Sequence, residues 1–285
     1  NLEIPREVTR NLTSLLNLTN NPERFKRFEE YFEEVDAHSL ADVAIIAGKS
    51  AKLSVSGKPL EDYTAVYLDL EPRTTIFAKI LLEYIQNRQL KCNFDPSSLF
   101  ITSKKPYLFK VLEEKDVNIP STVVVSTGRG VNNVEEEVGF PAVGNKFDGF
   151  RRIDIDRIYD RDDLKSFSEH AEHGKHMMMF QSLLEGDVYD VLFIDGEFIS
   201  LKLEGDSWRL TPSKGATAKY HKLGSDLKEV VRDTAESIGA DLCRVRIVGD
   251  NVVGVKNNLK LQEFRDVSGK SIFGRVSEFL KGDRD

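Results

Sequence analysis

Two lysines, Lys104 and Lys105, stand directly before Pro106-Tyr107-Leu108-Phe109, and an Ile119-Pro120 step leads on into Thr122-Val123-Val124-Val125. The order reads as loop, helix and β-branched strand. A lysine at such a helix start can hold a phosphate while the helix packs on a sheet. A pair of solvated lysines at a helix entrance is the simpler reading of the same residues. Arg151 and Arg152 either supply charge to an anion or face Asp154 and Asp156 on the surface. From Ser207 onward the chain carries Lys214, Lys219, Lys222, Arg244, Arg246, Lys256, Lys260 and Arg265. Converging in a cleft, these cations make an anion site; spread over one face, they meet RNA or an acidic protein partner; scattered, they are only solvated. His170, His173 and His176 have the i, i+3, i+6 spacing of a transition-metal site. Gly174 interrupts them, which favours a solvated turn. Met177-Met178-Met179 reads as core strand rather than as ligands.

Composition limits the partners. The chain has 285 residues, 40% of them hydrophobic and 31% charged, enough for a sizeable core under a charged surface. Its formal charge of −7 argues against indiscriminate binding to nucleic acid or anionic membrane, leaving only a local basic patch for either. Cys92 and Cys243 lie far apart and have no metal-ligand spacing. Together with the lack of a basic-then-apolar start, they lead to the expectation of a reduced, cytoplasmic protein. No apolar run approaches the roughly 20 residues that span a bilayer. Asn11-Leu12-Thr13 and Asn17-Leu18-Thr19 fit the glycosylation pattern but read as polar residues flanking a helix.

The elements that must position these residues follow from periodicity. Phe25, Phe28, Tyr31, Phe32 and Val35 predict an amphipathic helix over about 22–40. Val43–Ala47 and Ala65–Leu70 predict strands, Ile76–Gln89 a helix, and Asp95-Pro96-Ser97-Ser98 a boundary turn. Further on, helices are predicted over about 134–138, 160–172, 225–239 and 270–281. Strands are predicted from Phe140 and over Met177–Phe180. Tyr189–Leu203 and Arg244–Val255 predict two hairpins, turning at Asp195-Gly196 and Gly249-Asp250-Asn251.

Ser97–Val125 and Leu203–Ala216 resemble the ATP-grasp superfamily, in particular the RimK-like branch that joins amino acids to carboxylates. The resemblance runs from about Ala41 to the C-terminus. It implies a fold of mixed α/β and α+β class: a small N-terminal α/β domain followed by two α+β lobes. The expected divisions are an N-terminal helical segment over 1–40, a pre-ATP-grasp domain over 41–97, a central lobe with lid over 98–180, and a C-terminal lobe over 181–285.

The resemblance also distributes roles. Lys105 falls at the first phosphate-binding lysine. Lys146, ending Phe140-Pro-Ala-Val-Gly-Asn-Lys, stands near the second, displaced by about a residue. Gln181 matches the hinge strand, and Asp187 or Asp190 the ribose-binding acid. Arg209 would contact the transferred phosphate as the catalytic cation, with Lys214 beside it. The slots that carry magnesium ligands in the family read Arg246, Gly254 and Lys256. Two cations and a glycine cannot coordinate a hard metal, so the resemblance leaves ATP as cofactor with magnesium in doubt and no metal ligands assigned. Three functions follow as expectations. The first is a pseudoenzyme with a nucleotide- or anion-binding cleft, acting through ligand or partner binding. The second is an active carboxylate–amine ligase working through an acyl phosphate. The third is an RNA- or protein-complex-binding module that uses the basic C-terminal lobe.

Overall fold

The computed structural model describes residues 13–46, 52–69, 75–126, 128–149, 151–169, 176–211 and 214–282. It opens with β1 (Ser14–Leu18), whose five residues are all buried. A 3₁₀ segment over Pro22–Glu30 and β2 (Glu34–His38) follow, and β2 pairs parallel with β1. The single amphipathic helix expected over 22–40 is therefore corrected. Phe28 does face the core from the 3₁₀ segment and Phe32 from just beyond its end, while Val35 belongs to a strand. Spacings of three and four serve either helix type, and the Glu-Val-Asp-Ala-His alternation that follows has a period of two. Asn17 is buried within β1, which closes it to glycosylation; Asn11 lies outside the described residues.

Next, β3 (Val43–Ile46), β4 (Lys52–Val55) and β5 (Lys58–Pro59) form a separate antiparallel sheet. The strand expected at Val43 is present, but it lies outside the parallel unit. β6 (Ala65–Leu68) and the short β7 (Lys91–Cys92), joined by α1 (Thr75–Asn87), complete a parallel sheet in the order β2-β1-β6-β7. Asn93 ties off its end, accepting from Leu68 N–H at 2.7 Å and donating to Leu68 C=O at 3.0 Å.

Asp95-Pro96-Ser97-Ser98 is a helix start rather than a plain turn. Asp95 caps α2 (Pro96–Thr102) by accepting from the N–H groups of Ser97 and Ser98. An acid before proline and two serines is an N-cap signature, so this helix was legible in the residues. α3 (Lys105–Glu113) follows almost at once, and its Leu108, Phe109 and Leu112 are buried.

A second sheet, ordered β10-β9-β11-β8 and antiparallel throughout, comprises β8 (Thr122–Val125), β9 (Ala142–Asp148), β10 (Arg151–Ile158) and β11 (His176–Ser182). Two helices, α4 (Val134–Glu137) and α5 (Arg161–Glu169), contribute Val134, Leu164 and Phe167 to a core with Met178 and Phe180. Phe167 meets Phe180 edge to face at 5.8 Å and leaves no room above Gly144, where an added Cβ would stand 2.8 Å from the ring. Gly144→Ala is expected to destabilise the chain by about 1–3 kcal/mol through overpacking, read by urea denaturation. His170 and His173 lie outside the described residues. Among the described residues, no group of three His, Cys, Asp or Glu side chains is placed to hold a metal.

The third sheet is antiparallel in the order β14-β13-β12-β15-β16. It is built from β12 (Val188–Ile194), β13 (Glu197–Glu204), β14 (Thr217–His221), β15 (Leu242–Val248) and β16 (Asn251–Lys256). Asp195 and Gly196 both take positive φ, +43° and +87°, the conformation a two-residue hairpin requires. α6 (Ser225–Ile238), stopped by Gly239, covers one face together with α3. α7 (Leu261–Ser268), which the periodicity did not reveal, and α8 (Ile272–Lys281) join the core on the other face, which is continuous with the N-terminal sheet. Among the described residues no helix is long and apolar enough to cross a membrane. Both cysteines are free, and burial pushes each thiol up to about 12, so neither offers a reactive thiolate.

Candidate functional site

Strand register decides which side chains can meet, because alternate residues point to opposite faces and cross-strand partners share one. On the second sheet, Asn145 pairs with Met179, Phe147 with Met177 and Arg152, and Gln181 with Val143 and Thr122. These residues share a face. Arg152 Nη1 donates to Asn145 Oδ1 at 3.5 Å across it. Lys105, the first residue of α3, reaches the same face and donates to Gln181 Oε1 at 2.7 Å; Gln181 in turn donates to Thr122 Oγ1 at 3.1 Å. Lys104 turns the other way, over the ring of Phe100. Of the two adjacent lysines, Lys105 is the one aimed at the sheet.

Lys146 belongs to the opposite face. Its ammonium lies 4.1 Å over the Phe167 ring and 3.9 Å from Asp154, with its side chain only 8% exposed. It does not join Lys105, and Asn145, 0% exposed, holds the cleft-side position instead. One residue of displacement in a strand exchanges the two faces.

On the third sheet, Asp190, Arg246 and Gly254 lie side by side on β12, β15 and β16, with Arg244 opposite Lys256 one pair further on. The same face continues as Leu192, Ile194 and Leu242, which are core. Asp190 is therefore a charge at the end of a buried apolar stripe, with its side chain 2% exposed. Both its oxygens are occupied: Arg246 donates to them at 2.7 and 2.8 Å, and Arg244 to one of them at 3.1 Å. Burial raises the Asp190 pKa, but the Arg246 hydrogen bonds and the two guanidinium charges outweigh it and hold the carboxyl below its ordinary value. Arg246 also donates to Leu210 C=O at 3.1 Å, which fixes the loop after β13.

That loop carries Arg209 and the exposed Trp208, whose ring lies 5.8 Å from the Arg209 guanidinium and 5.6 Å from that of Arg157 on β10. The two sheets meet electrostatically here. Burial pulls the Lys105 ammonium well below its ordinary pKa, with Lys256, Arg152 and Arg209 adding repulsion. Burial also lowers Lys256, to about 8, assisted by Arg246, Arg152 and Arg244. Four cations from four different segments thus lie within electrostatic reach of one another, and Asp190, the carboxylate that acts on Lys256, is already taken up by guanidinium groups. Such a cluster suits a multiply charged anion.

The remaining expected residues fall elsewhere. Asp187 is held on the surface by Lys202 at 2.7 Å and the Tyr189 hydroxyl at 3.1 Å. Lys214 is exposed beyond Arg209, its backbone N–H bonded to Thr211 C=O. The C-terminal basic excess does not form one extended face. Lys219 pairs with Glu204, Lys260 with Glu263 and Arg265 with Asp266, while Arg244, Arg246 and Lys256 turn into the cleft. Asn145 and the Asp190 clamp are what the sequence reading missed. A lone acid inside Tyr-Asp-Val-Leu-Phe-Ile, with Arg-x-Arg further on, was the signal for the clamp, since a charge in a buried strand requires a partner.

The donor set does not fit a divalent metal. Arg246, Gly254 and Lys256 offer no oxygen ligand, and the neighbouring carboxylate of Asp190 is spent on guanidinium groups. The orphaned buried atom of the site, Arg244 Nε, is itself a donor and calls for an acceptor rather than a cation.

Comparison with known proteins bears on the fold. No family model matches the chain. The alpha-aminoadipate–LysW ligase LysX of Sulfolobus acidocaldarius is 22% identical over 206 residues, covering 66% of this chain and 74% of LysX. The ATP-grasp ligase PsnB, solved with a minimal precursor, superposes with a TM-score of 0.72 at 16% identity, over 95% of this chain and 98% of PsnB. A RimK domain ATP-grasp protein from Sphaerobacter thermophilus gives 0.69 at 15% identity, over 94% and 99%. By its likeness to these solved structures over nearly its whole length, this chain has the ATP-grasp fold.

Proposed function

We propose that this chain binds ATP through its triphosphate, in the cleft where Lys105, Arg152, Arg209 and Lys256 converge, as a protein of carboxylate–amine ligase design. The convergence of these four cations is the observation that carries the reading. Lys105 is held in place by Gln181, and Arg152 by Asn145, so their charges are oriented before a ligand arrives. Relatives support a ligation reaction: LysX is named as a ligase, and PsnB has been captured with Mg and ADP. In such a reaction a carboxylate oxygen attacks the γ-phosphorus and ADP leaves. An amine then displaces phosphate from the acyl phosphate to give an amide. Arg209, on a loop anchored by Arg246, is our candidate for the cation that stabilises the transferred group.

A second reading, nucleotide binding without transfer, is favoured by one specific observation: Asp190 is closed to metal by Arg244 and Arg246. Calorimetric titration of ATP, followed by an ADP assay against panels of carboxylates and amines, separates the two. ADP release that needs both partners supports ligation, whereas binding with no release supports the second reading. Failure of ATP to bind at all would remove the proposal.

Affinity for ATP is expected to fall as the pH rises past about 8, where Lys256 gives up its proton. The charged groups acting on it are Arg152 on β10, Arg244 and Arg246 on β15 and Asp190 on β12, and Lys105 on α3 is repelled by it in turn. The folded pKa of Lys256 lies below the ordinary 10.5, so between the two values the unfolded chain binds more protons. The ligand-free fold therefore gains stability with rising pH over that window, while anion binding weakens. Denaturation and calorimetry on either side of this pH should move in opposite directions.

A further inference from the structure

We infer that this cleft is a metal-independent polyphosphate site, in which the Lys256 ammonium stands where a magnesium ligand would project and the chain takes ATP free of magnesium in preference to its magnesium complex. The inference rests on the nucleotide reading above and goes beyond it by naming the ionic form of the ligand.

Three observations carry it. The first is where Lys256 lies. A Cβ built on Gly254 would lie 3.5 Å from Lys256 Nζ and 3.8 Å from its Cε. The lysine therefore folds back along its own strand, and its ammonium borders the space above Gly254. Any acid reaching out from 254 would meet this ammonium as its first partner, in competition with a metal ion.

The second is the charge inventory. Lys105, Arg152, Arg209, Arg244, Arg246 and Lys256 meet at this point, and Asp190 is the carboxylate among them. Glu263 acts on Arg244 and Arg246 from a distance but is itself paired with Lys260. Clustered cations taken out of water are unfavourable unless an anion completes the set. The third is Arg244, whose side chain is only 6% exposed and whose Nε has no acceptor. A buried guanidinium N–H without a partner points to an anionic acceptor.

Built-in cations and a bound divalent ion play the same electrostatic part, offsetting the triphosphate charge. Supplying both overcharges the cleft: magnesium on the β- and γ-oxygens would neutralise the charge that Lys256 and Arg152 are placed to meet, and would face their like charges.

The test is calorimetric titration of ATP into the whole chain, once in EDTA and once in saturating magnesium. The expected result is binding at least about tenfold tighter in EDTA, because like-charge juxtaposition is costly. Lys256→Met should weaken metal-free binding by about tenfold, while Lys256→Arg, which keeps the charge, should retain most of it. Far-UV circular dichroism and a thermal melt would establish that both variants fold. Binding strengthened by magnesium would overturn the inference while leaving the nucleotide reading intact. Equal affinity in both conditions would overturn it too, as would a Lys256→Met variant that folds and binds like the parent. No binding in either condition would remove the nucleotide reading along with it.

Discussion

Asp190→Ala is expected to cost the fold about 3–5 kcal/mol, the range for removing one partner from a buried ion cluster. The carboxylate is nearly inaccessible and accepts three guanidinium hydrogen bonds at 2.7–3.1 Å. Without it, Arg244 and Arg246 face each other and Lys256 on one side of a sheet, with burial already acting against them. Urea denaturation measures the loss directly, and the melting temperature should drop by roughly 2–4 °C per kcal/mol. Replacing the whole cluster is a sharper test. Asp190→Leu combined with Arg244→Met and Arg246→Leu should recover most of the stability, because a packed apolar trio needs no counter-charge. If Asp190→Ala were nearly neutral, the clamp would be a surface pair in effect and the case for a closed metal position would weaken. The pH dependence has a fixed sign. The folded pKa of Asp190 is depressed, so its contribution is complete above the ordinary carboxylate value of 3.8 and is lost as the pH falls through the folded one.

Lys105→Met is expected to lower ATP affinity by about 10- to 100-fold, the equivalent of one charge-assisted hydrogen bond of roughly 1.5–3 kcal/mol. The same change should not lower the stability of the ligand-free chain. Burial and three neighbouring cations already work against the Lys105 charge, and a methionine fills a similar space without it. Lower affinity with equal or higher stability distinguishes a ligand-binding lysine from a structural one. Lys146→Met supplies the contrast. Its ammonium lies against Phe167 on the far face of the second sheet, so ATP affinity should stay within about a factor of two, as for well-separated sites. A large loss of affinity in Lys146→Met would show that the register of β9 has been misread.

Wherever a local signal settles the backbone, the residues were sufficient. The Asp195-Gly196 turn, the Gly239 stop of α6, the β-branched strand after Ile119-Pro120 and the helix after Lys105 all depend on near neighbours in the chain. The ATP-grasp resemblance was legible for the same reason, since its motifs are short runs. That Arg246, Gly254 and Lys256 bring no carboxylate is equally plain from residue identity. The strand at Glu34–His38 was not, since apolar spacing of three and four carried the helix reading past the point where pairing with β1 took over.

Which charges meet depends on how the strands pair. Lys146 and Asn145 differ by one position, and the pleat sends one to Phe167 and the other to the cleft. Asp190 and Arg246 are 56 residues apart and become nearest neighbours only through the β12–β15 register. Of the basic C-terminal residues, some are neutralised by acids on adjacent strands and helices, while the Lys256 ammonium borders the space above Gly254. A strand shows its alternation in sequence but not its partner, and electrostatics at a few ångströms depends on the partner.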